Sequence, residues 1–256
     1  AARKQATAIL PVGSLEQHGP HLPVNTDTAS ANEAALRAAR MVCTDIPVAV
    51  LPGLWLGMSE HHFPFGATIS IDFSAYRAIL VGIARSLKVL GFGRLLIVNG
   101  HGGNVDALAV IARELALEFV IPIVVTTPWH LAQPELRAVF ESSFEGRHAC
   151  EGETSVMLAI SADTVRRDKF DDAMRQRPEP LKARRGFTRF YSFSEIAPST
   201  GVNGDPRTAT AAKGERFLAI QARELAAAIV DDNLWTTPDP VWRPGRGQQT
   251  TSGRAE

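Results

Sequence analysis

Acidic and imidazole side chains are concentrated near the start of this 256-residue chain. Glu16 and His18 are two residues apart, so in an extended chain both project from the same side. Asp27 follows at the predicted entry to a helix, and one imidazole with two carboxylates could bind a divalent metal ion. Two simpler interpretations stay open, because Asp27 could cap that helix and His18 could be an ordinary loop residue.

A second cluster, Asn99-Gly-His-Gly-Gly-Asn104, contains His101 among three glycines. The glycines permit a tight turn, and His101 could offer a ring nitrogen to a metal ion. The loop could equally be a turn without chemistry. A third interpretation is a nucleotide-binding module built on Asn99 to Asn104, although the full Gly-x-Gly-x-x-Gly spacing is absent. Nucleotide-dependent thermal stabilisation would support that third interpretation.

The segment from His148 to Ser155 offers a proton-transfer group, carboxylates and a thiol. Glu153 could bind a metal ion, or the glutamates could simply complement the dipole of a helix that begins here. Glu151 could orient His148, but we expect it to face solvent, as surface glutamates usually do. Cys150 with His148 could also form a thiol hydrolase, although no oxyanion loop is evident.

The segment Ser59 to Phe63 contains two adjacent histidines, His61 and His62. Adjacent side chains point in opposite directions in an extended chain, so we expect at most one of the two to face a shared site. The positions of the histidines favour a metal site over isolated loop residues. Of the seven histidines, five fall in predicted loops after strands: His18, His21, His61, His62 and His101.

Short apolar runs alternate with helical patterns along the chain, which predicts an α/β fold. Continuous apolar strands between helices indicate a mostly parallel sheet flanked by helices on both faces. Ligands in such sheets bind beyond the carboxyl ends of the strands. The predicted strands are 6–12, 47–51, 94–98 and 120–126, and the predicted helices are 28–42, 73–90, 104–119, 153–160 and 209–230.

The composition narrows the class of protein. The 27 basic and 27 acidic residues give zero formal net charge, which argues against nucleic-acid binding and against attachment to acidic membranes. Two cysteines are too few for a secreted disulfide framework, and no apolar run reaches the roughly 18 residues of a membrane span. We expect a cytoplasmic protein with one domain over 1–235, followed by a tail or oligomer arm over 236–256.

Four segments resemble the creatininase (creatinine amidohydrolase) family: Val12 to Pro23 with Asp27, Asn99 to Asn104, Glu153 to Ser155, and Gly204 to Thr210. The resemblance implies a dinuclear metal amidohydrolase with one α/β domain, assembled as a homo-oligomer, often a hexamer. It implies that Asp27 bridges two divalent ions and that His148 is the catalytic histidine. The metal ligands that it implies are Glu16, His18, Asp27 and His101.

Two positions depart from the family pattern. Creatininase has a ligand glutamate two residues after the histidine that matches His101, where this chain has Gly103. Glu153 is our choice for the missing carboxylate, with a role in proton transfer as its alternative. The family loop Glu-His-x-x-Phe-Pro-Gly-Thr aligns its histidine with His62, which points to a different substrate pocket. Ser59, His62 and Asn104 are the candidate substrate-binding residues.

The resulting hypothesis is hydrolysis of a C–N amide bond in a cyclic amide, a lactam or a small linear amide. Two Zn²⁺, Mn²⁺ or Fe²⁺ ions would stabilise a bridging hydroxide that attacks the amide carbonyl. His148 would carry a proton to the leaving nitrogen. The superfamily also includes a formylaminopyrimidine deformylase and a peptidase that trims the mycofactocin precursor, so cofactor maturation is the alternative.

Overall fold

The sheet in the computed structural model has four parallel strands in the order β2-β1-β3-β4. The structure describes residues 6–142, 147–174, 189–190, 192–197 and 199–239, so the predicted tail lies outside it from residue 240 onward. The strands are β1 (Thr7–Val12), β2 (Val48–Val50), β3 (Arg94–Asn99) and β4 (Ile123–Thr126).

Seven α-helices connect or follow the strands in the described part of the chain, and the predicted α/β class is confirmed. The first three are α1 (Thr26–Val42), α2 (Phe73–Val89) and α3 (Val105–Phe119). The others are α4 (Gln133–Arg137), α5 (Glu151–Ile160), α6 (Phe170–Ala173) and α7 (Ala211–Val230). None of the helices described is long and apolar enough to cross a membrane.

Helices cover both faces of the sheet, which explains why β1 is apolar over residues 8–12 and β3 over residues 95–98. Side chains of a strand alternate between faces. Ile9 and Leu96 pack against α1 and α7, whereas Leu10 and Ile97 pack against α2 and α3. Each face therefore has its own hydrophobic core, and the central strands are packed between the two cores.

The topology brings the polar segments together at the carboxyl ends of the central strands. Strands β1 and β3 are neighbours, and their last residues, Val12 and Asn99, are partners in the register. The loops that follow these strands therefore start side by side. Helix α5 packs against α7, where a Cβ atom on Gly214 would lie 1.9 Å from the carbonyl oxygen of Ser155. Only glycine permits this close approach, which sets how closely α7 packs against the middle of α5.

Candidate metal centre and active site

A cluster of buried carboxylates and imidazoles lies where the loops after β1 and β3 meet the amino end of α5. All of its members are at most 8% exposed. It brings together every residue predicted as a metal ligand or catalytic group. These are Glu16, His18, Asp27, His101, His148 and Glu153.

Asp27 lies between two imidazoles rather than capping a helix. Its Oδ1 atom is 3.1 Å from His18 Nε2, and its Oδ2 atom is 3.0 Å from His101 Nδ1. The Ser14 hydroxyl donates a 2.6 Å hydrogen bond to Oδ2 and fixes the carboxylate plane. The residue at the cap of α1 is Asn25. The two oxygens of Asp27 therefore face two different halves of the cluster.

Glu16 faces three imidazoles. Its Oε2 atom is 3.0 Å from His101 Nδ1, and its Oε1 atom is 3.3 Å from His62 Nε2 and 3.6 Å from His148 Nδ1. Because His101 Nδ1 is equally close to Asp27, one ring nitrogen cannot satisfy both carboxylates. Glu16 Oε2 is left buried without a hydrogen bond.

Glu153 reaches the cluster from the first turn of α5. Its Oε2 atom accepts a 2.5 Å hydrogen bond from the backbone N–H of Ala149. Ala149 has a φ of 51°, in the left-handed region that non-glycine residues rarely occupy. Glu153 also groups with His18 and Asp27, with donor atoms within 4.8 Å of one another. This places Glu153 where it could supply a carboxylate ligand.

The backbone of Gln17 determines the orientation of His148. The Nε2 atom of His148 is 2.9 Å from the carbonyl oxygen of Gln17, which can only accept, so Nε2 carries the proton. The other nitrogen, Nδ1, faces Glu16 with its lone pair. Burial, together with the neighbouring His18 and His62, holds the pKa of His148 well below its usual value. His148 is therefore a neutral proton acceptor.

Both histidines of the pair His61 and His62 turn toward the site, so the expectation that at most one would do so is wrong. The segment Glu60–Phe65 is a 3₁₀ helix and not an extended chain. The two rings are 4.3 Å apart at an angle of 48°. His62 accepts a hydrogen bond from the Gln17 amide at Nδ1, and His61 groups with Glu16 and His101.

Glu151 does not face solvent, contrary to our expectation, and it does not contact His148. Its side chain is fully buried, and Oε1 accepts a 2.6 Å hydrogen bond from Lys213 of α7. The backbone N–H groups of Glu141 and Ser142 also donate to this carboxylate. Its ion pair with Lys213 joins the amino ends of α5 and α7 and has no direct part in the cluster.

Cys150 is poorly suited to nucleophilic catalysis. The thiol is buried, and burial together with the nearby Glu153 raises its pKa to about 12. A thiol needs to ionise to act as a nucleophile, so at neutral pH this one stays protonated. The structure thus opposes the thiol hydrolase interpretation.

The three candidate substrate-binding residues have different positions. Ser59 Oγ is 3.2 Å from His101 Nε2, so Ser59 orients that ring from outside the carboxylate cluster. His62 lies inside the site. Asn104 instead joins the loops, because its Oδ1 accepts from the N–H of Met58 and its Nδ2 donates to the carbonyl of Gly13.

The carboxylates and imidazoles perturb each other strongly. Burial alone would raise the pKa of Asp27, but His18 and His101 hold it well below its usual range. Burial would lower the pKa of His18, yet Asp27 raises it to about 10. The pKa of His101 is raised well above its usual value, against burial, by Glu16 and Asp27. The three buried carboxylates therefore require compensating positive charge close to them.

A divalent cation fits this demand. Glu16 Oε2 lacks a hydrogen-bond donor, and three groups of side chains have converging donor atoms. Carboxylate oxygens with imidazole nitrogens are the ligand set of Zn²⁺, Mn²⁺ and Fe²⁺ sites. The groups are Glu16 with His61 and His101, Glu16 with His18 and His148, and His18 with Asp27 and Glu153.

A cavity of about 530 Å³ opens beside the cluster and gives it room for a substrate. Gln17, His18, Phe65 and Thr200 are among its lining residues. Phe193 also packs against the site, with its ring centroid 4.2 Å from that of His62 and 4.8 Å from that of His148. Sequence reasoning missed Phe193, because it lies in a polar segment without a recognisable motif.

Two relatives with curated functions align over most of the chain. A family model described as creatinine amidohydrolase matches residues 1–229. The mycofactocin precursor peptide peptidase of Mycobacterium tuberculosis is 36% identical over 247 residues, which cover 88% of this chain and 81% of the relative. The creatinine amidohydrolase of Pseudomonas putida is 28% identical over 242 residues, covering 88% of each.

Solved structures of creatininase share the fold. One of them superposes with a TM-score of 0.72 at 28% identity, over 89% of this chain and 90% of the other. A creatininase structure named as the Mn form also has a TM-score of 0.72, at 27% identity, and covers 89% and 91% of the two chains. A Zn–Zn form of a creatininase variant has a TM-score of 0.71 at 27% identity, with the same coverage.

Proposed function

Because the chain belongs to the creatininase family of metal-dependent hydrolases that act on carbon–nitrogen bonds, we propose that it hydrolyses a small amide with two divalent metal ions. The observation that carries this proposal is the burial of Glu16, Asp27 and Glu153 together among imidazoles at one end of the sheet. Buried carboxylates need a cation, and an amidohydrolase of this kind uses one.

The residues that would hold two ions divide into two sets at Asp27. The Oδ1 atom of Asp27 faces His18 and the Oδ2 atom faces His101, so this carboxylate can serve an ion on each side. Glu16 would serve the His101 side, where its Oε2 atom is 3.0 Å from His101 Nδ1, although it also groups with His18 and His148. Glu153 would serve the His18 side. When bound, the ions would supply the Lewis acidity that activates a water molecule and polarises an amide carbonyl.

His148 moves the proton in this mechanism. Its Nε2–H donates a hydrogen bond to the Gln17 carbonyl, which leaves the lone pair of Nδ1 facing the site. This lone pair accepts a proton from the attacking water. The imidazolium then donates that proton to the leaving nitrogen, which must be protonated before it departs as an amine. Glu153, whose pKa is raised to about 7 chiefly by burial, is the second group that could exchange protons in this range.

The substrate pocket takes a small amide. The cavity beside His18 is lined by both apolar and polar side chains, including Leu22, Phe65 and Thr200. The 36% identity to a peptide peptidase, together with Gly103 at the loop of His101, favours a short peptide as the second candidate over creatinine. Peptide, lactam and formamide substrates should therefore be screened side by side.

Metal content and hydrolysis measured on one preparation test the proposal. We expect about two divalent ions per chain after reconstitution and desalting, and loss of hydrolysis on chelation that metal restores. Asp27→Ala should lose both ions and activity. Asp106→Ala, an exposed aspartate in the first turn of α3, is the matched control and should change neither. Wild-type protein that holds no metal would reject the proposal.

A further inference from the structure

The loop around His101 leaves no space for a side chain at position 103. A Cβ atom on Gly103 would lie 2.4 Å from His101 Nε2 and 2.7 Å from Cε1 of His61. It would also lie 2.5 Å from the carbonyl oxygen of Met58, which is backbone and cannot rotate away. Real Cβ atoms do not approach other atoms this closely, so glycine is required here, and the ring of His61 lies where a residue 103 side chain would begin.

His61 lies beside the metal cluster, although the proposed ligand set does not include it. Its ring stacks on that of His101, with centroids 5.6 Å apart and planes 12° from parallel. Donor atoms of His61, His101 and Glu16 lie within 4.8 Å of one another. Glu16 is also the residue whose Oε2 atom lacks a hydrogen bond. Two imidazoles and the carboxylate of Glu16 thus offer donor atoms close together.

We propose that His61 is a metal ligand that completes the ion position of Glu16 and His101. The inference rests on the proposed dinuclear function and adds a ligand to it. It makes the two positions chemically unequal. The position with His61 has two nitrogen donors, whereas the position with His18, Asp27 and Glu153 has one nitrogen and two carboxylates.

This inequality predicts different metal preferences at the two positions. Imidazole ligands suit Zn²⁺, and carboxylate ligands suit Mn²⁺. The His61 position should therefore retain Zn²⁺ more tightly than the Glu153 position. A mixture of Zn²⁺ and Mn²⁺ should load the chain with about one ion of each.

Metal binding by four proteins tests the role of His61. Wild type, His61→Phe, His61→Glu and His130→Ala are titrated with Zn²⁺ and Mn²⁺ against a chromophoric chelator, and metal content is measured after desalting. His61→Phe keeps a ring that can stack on His101 but has no donor atom. We expect this variant to bind one Zn²⁺ ion at least a hundredfold more weakly and to bind the other with unchanged affinity. Loss of a residue that only hydrogen-bonds to a ligand already lowers metal affinity by about 10–100-fold, and loss of the ligand itself should cost at least as much.

The two remaining variants control for ligand type and for the loss of any histidine. His61→Glu restores a donor, so it should again bind two ions, with its preference at this position shifted at least tenfold toward Mn²⁺. His130 is exposed and belongs to none of the three groups of converging donor atoms, so His130→Ala should behave as wild type. Circular dichroism of the metal-free proteins shows whether each variant is folded.

Two results have separate meanings. His61→Phe with two Zn²⁺ ions bound at wild-type affinity would overturn the ligand role of His61 and assign it to packing, while leaving the proposed function intact. Wild-type protein without metal would reject the proposed function itself. If His61→Phe does not fold, the Zn²⁺ and Mn²⁺ affinities of His61→Glu decide, and wild-type values there overturn the inference.

Discussion

Metal binding to this protein should release protons, because the metal-free ligands hold them. The perturbation is the addition of Zn²⁺ to metal-free protein at pH 7. His18, with a pKa of about 10, and His101, with a pKa raised well above its usual value, both carry a proton at this pH. Each must lose that proton to offer a lone pair to the ion.

The expected number follows from the titration of each ligand. His18 and His101 contribute about one proton each, and Glu153, with a pKa of about 7, contributes about half of one. Asp27 and Glu16 have lowered pKa values and contribute none. Loading both ions should therefore release about two and a half protons per chain at pH 7, and about two at pH 8.5. A water molecule ionised at the ions would add up to about one more.

Calorimetry in buffers with different ionisation enthalpies measures this release directly. Because binding releases these protons, the metal affinity depends on pH. The overall association constant for the two ions should rise by at least about a hundredfold per pH unit near neutrality. His18→Gln should release about one proton fewer. Release of less than one proton per chain, or an affinity that is constant between pH 6.5 and 8, would refute the assignment of protons to His18 and His101.

Three further variants test other groups. His148→Ala should lower kcat by about 10²–10⁴-fold with metal content unchanged, whereas lost metal would make His148 a ligand. Cys150→Ser should keep most of its activity, because a thiol whose pKa is about 12 stays protonated; a loss above about a hundredfold with metal bound would restore the thiol mechanism. Lys213→Ala leaves the Glu151 carboxylate buried without its cation. Thermal denaturation should therefore show that the free energy of unfolding falls by about 3 kcal/mol or more, and Lys213→Arg should lower it less.

The central strands could be predicted from apolar runs because both of their faces are buried. Strand β1 begins one residue later than predicted, at Thr7, and β3 extends one residue further, to Asn99. The predicted strands 47–51 and 120–126 are longer than the observed edge strands Val48–Val50 and Ile123–Thr126. Edge strands are only partly buried, and each pairs with a single neighbouring strand. Apolar residues there extend beyond the last paired residue, so the apolar runs overestimate the length of these strands.

The approach of Glu16, His18 and Asp27 to His101 could also be predicted, because parallel strands end at the same edge of the sheet. The arrangement of His61 with His62 could not, because it depends on a 3₁₀ turn whose sequence also suits an extended loop. The burial of Glu151 could not be predicted either. It depends on Lys213, which is 62 residues away along the chain.

The site and the fold are linked through buried charge. Glu16, Asp27 and Glu153 are at most 7% exposed, and such carboxylates are unfavourable unless cations accompany them. Protons on His18 and His101 meet part of this demand, and divalent ions would meet it more completely. An ion that binds only the folded chain stabilises it, by about 4 kcal/mol at a thousandfold excess over its Kd. The same cluster that prepares the chain for amide hydrolysis therefore makes its stability depend on the metal that the reaction uses.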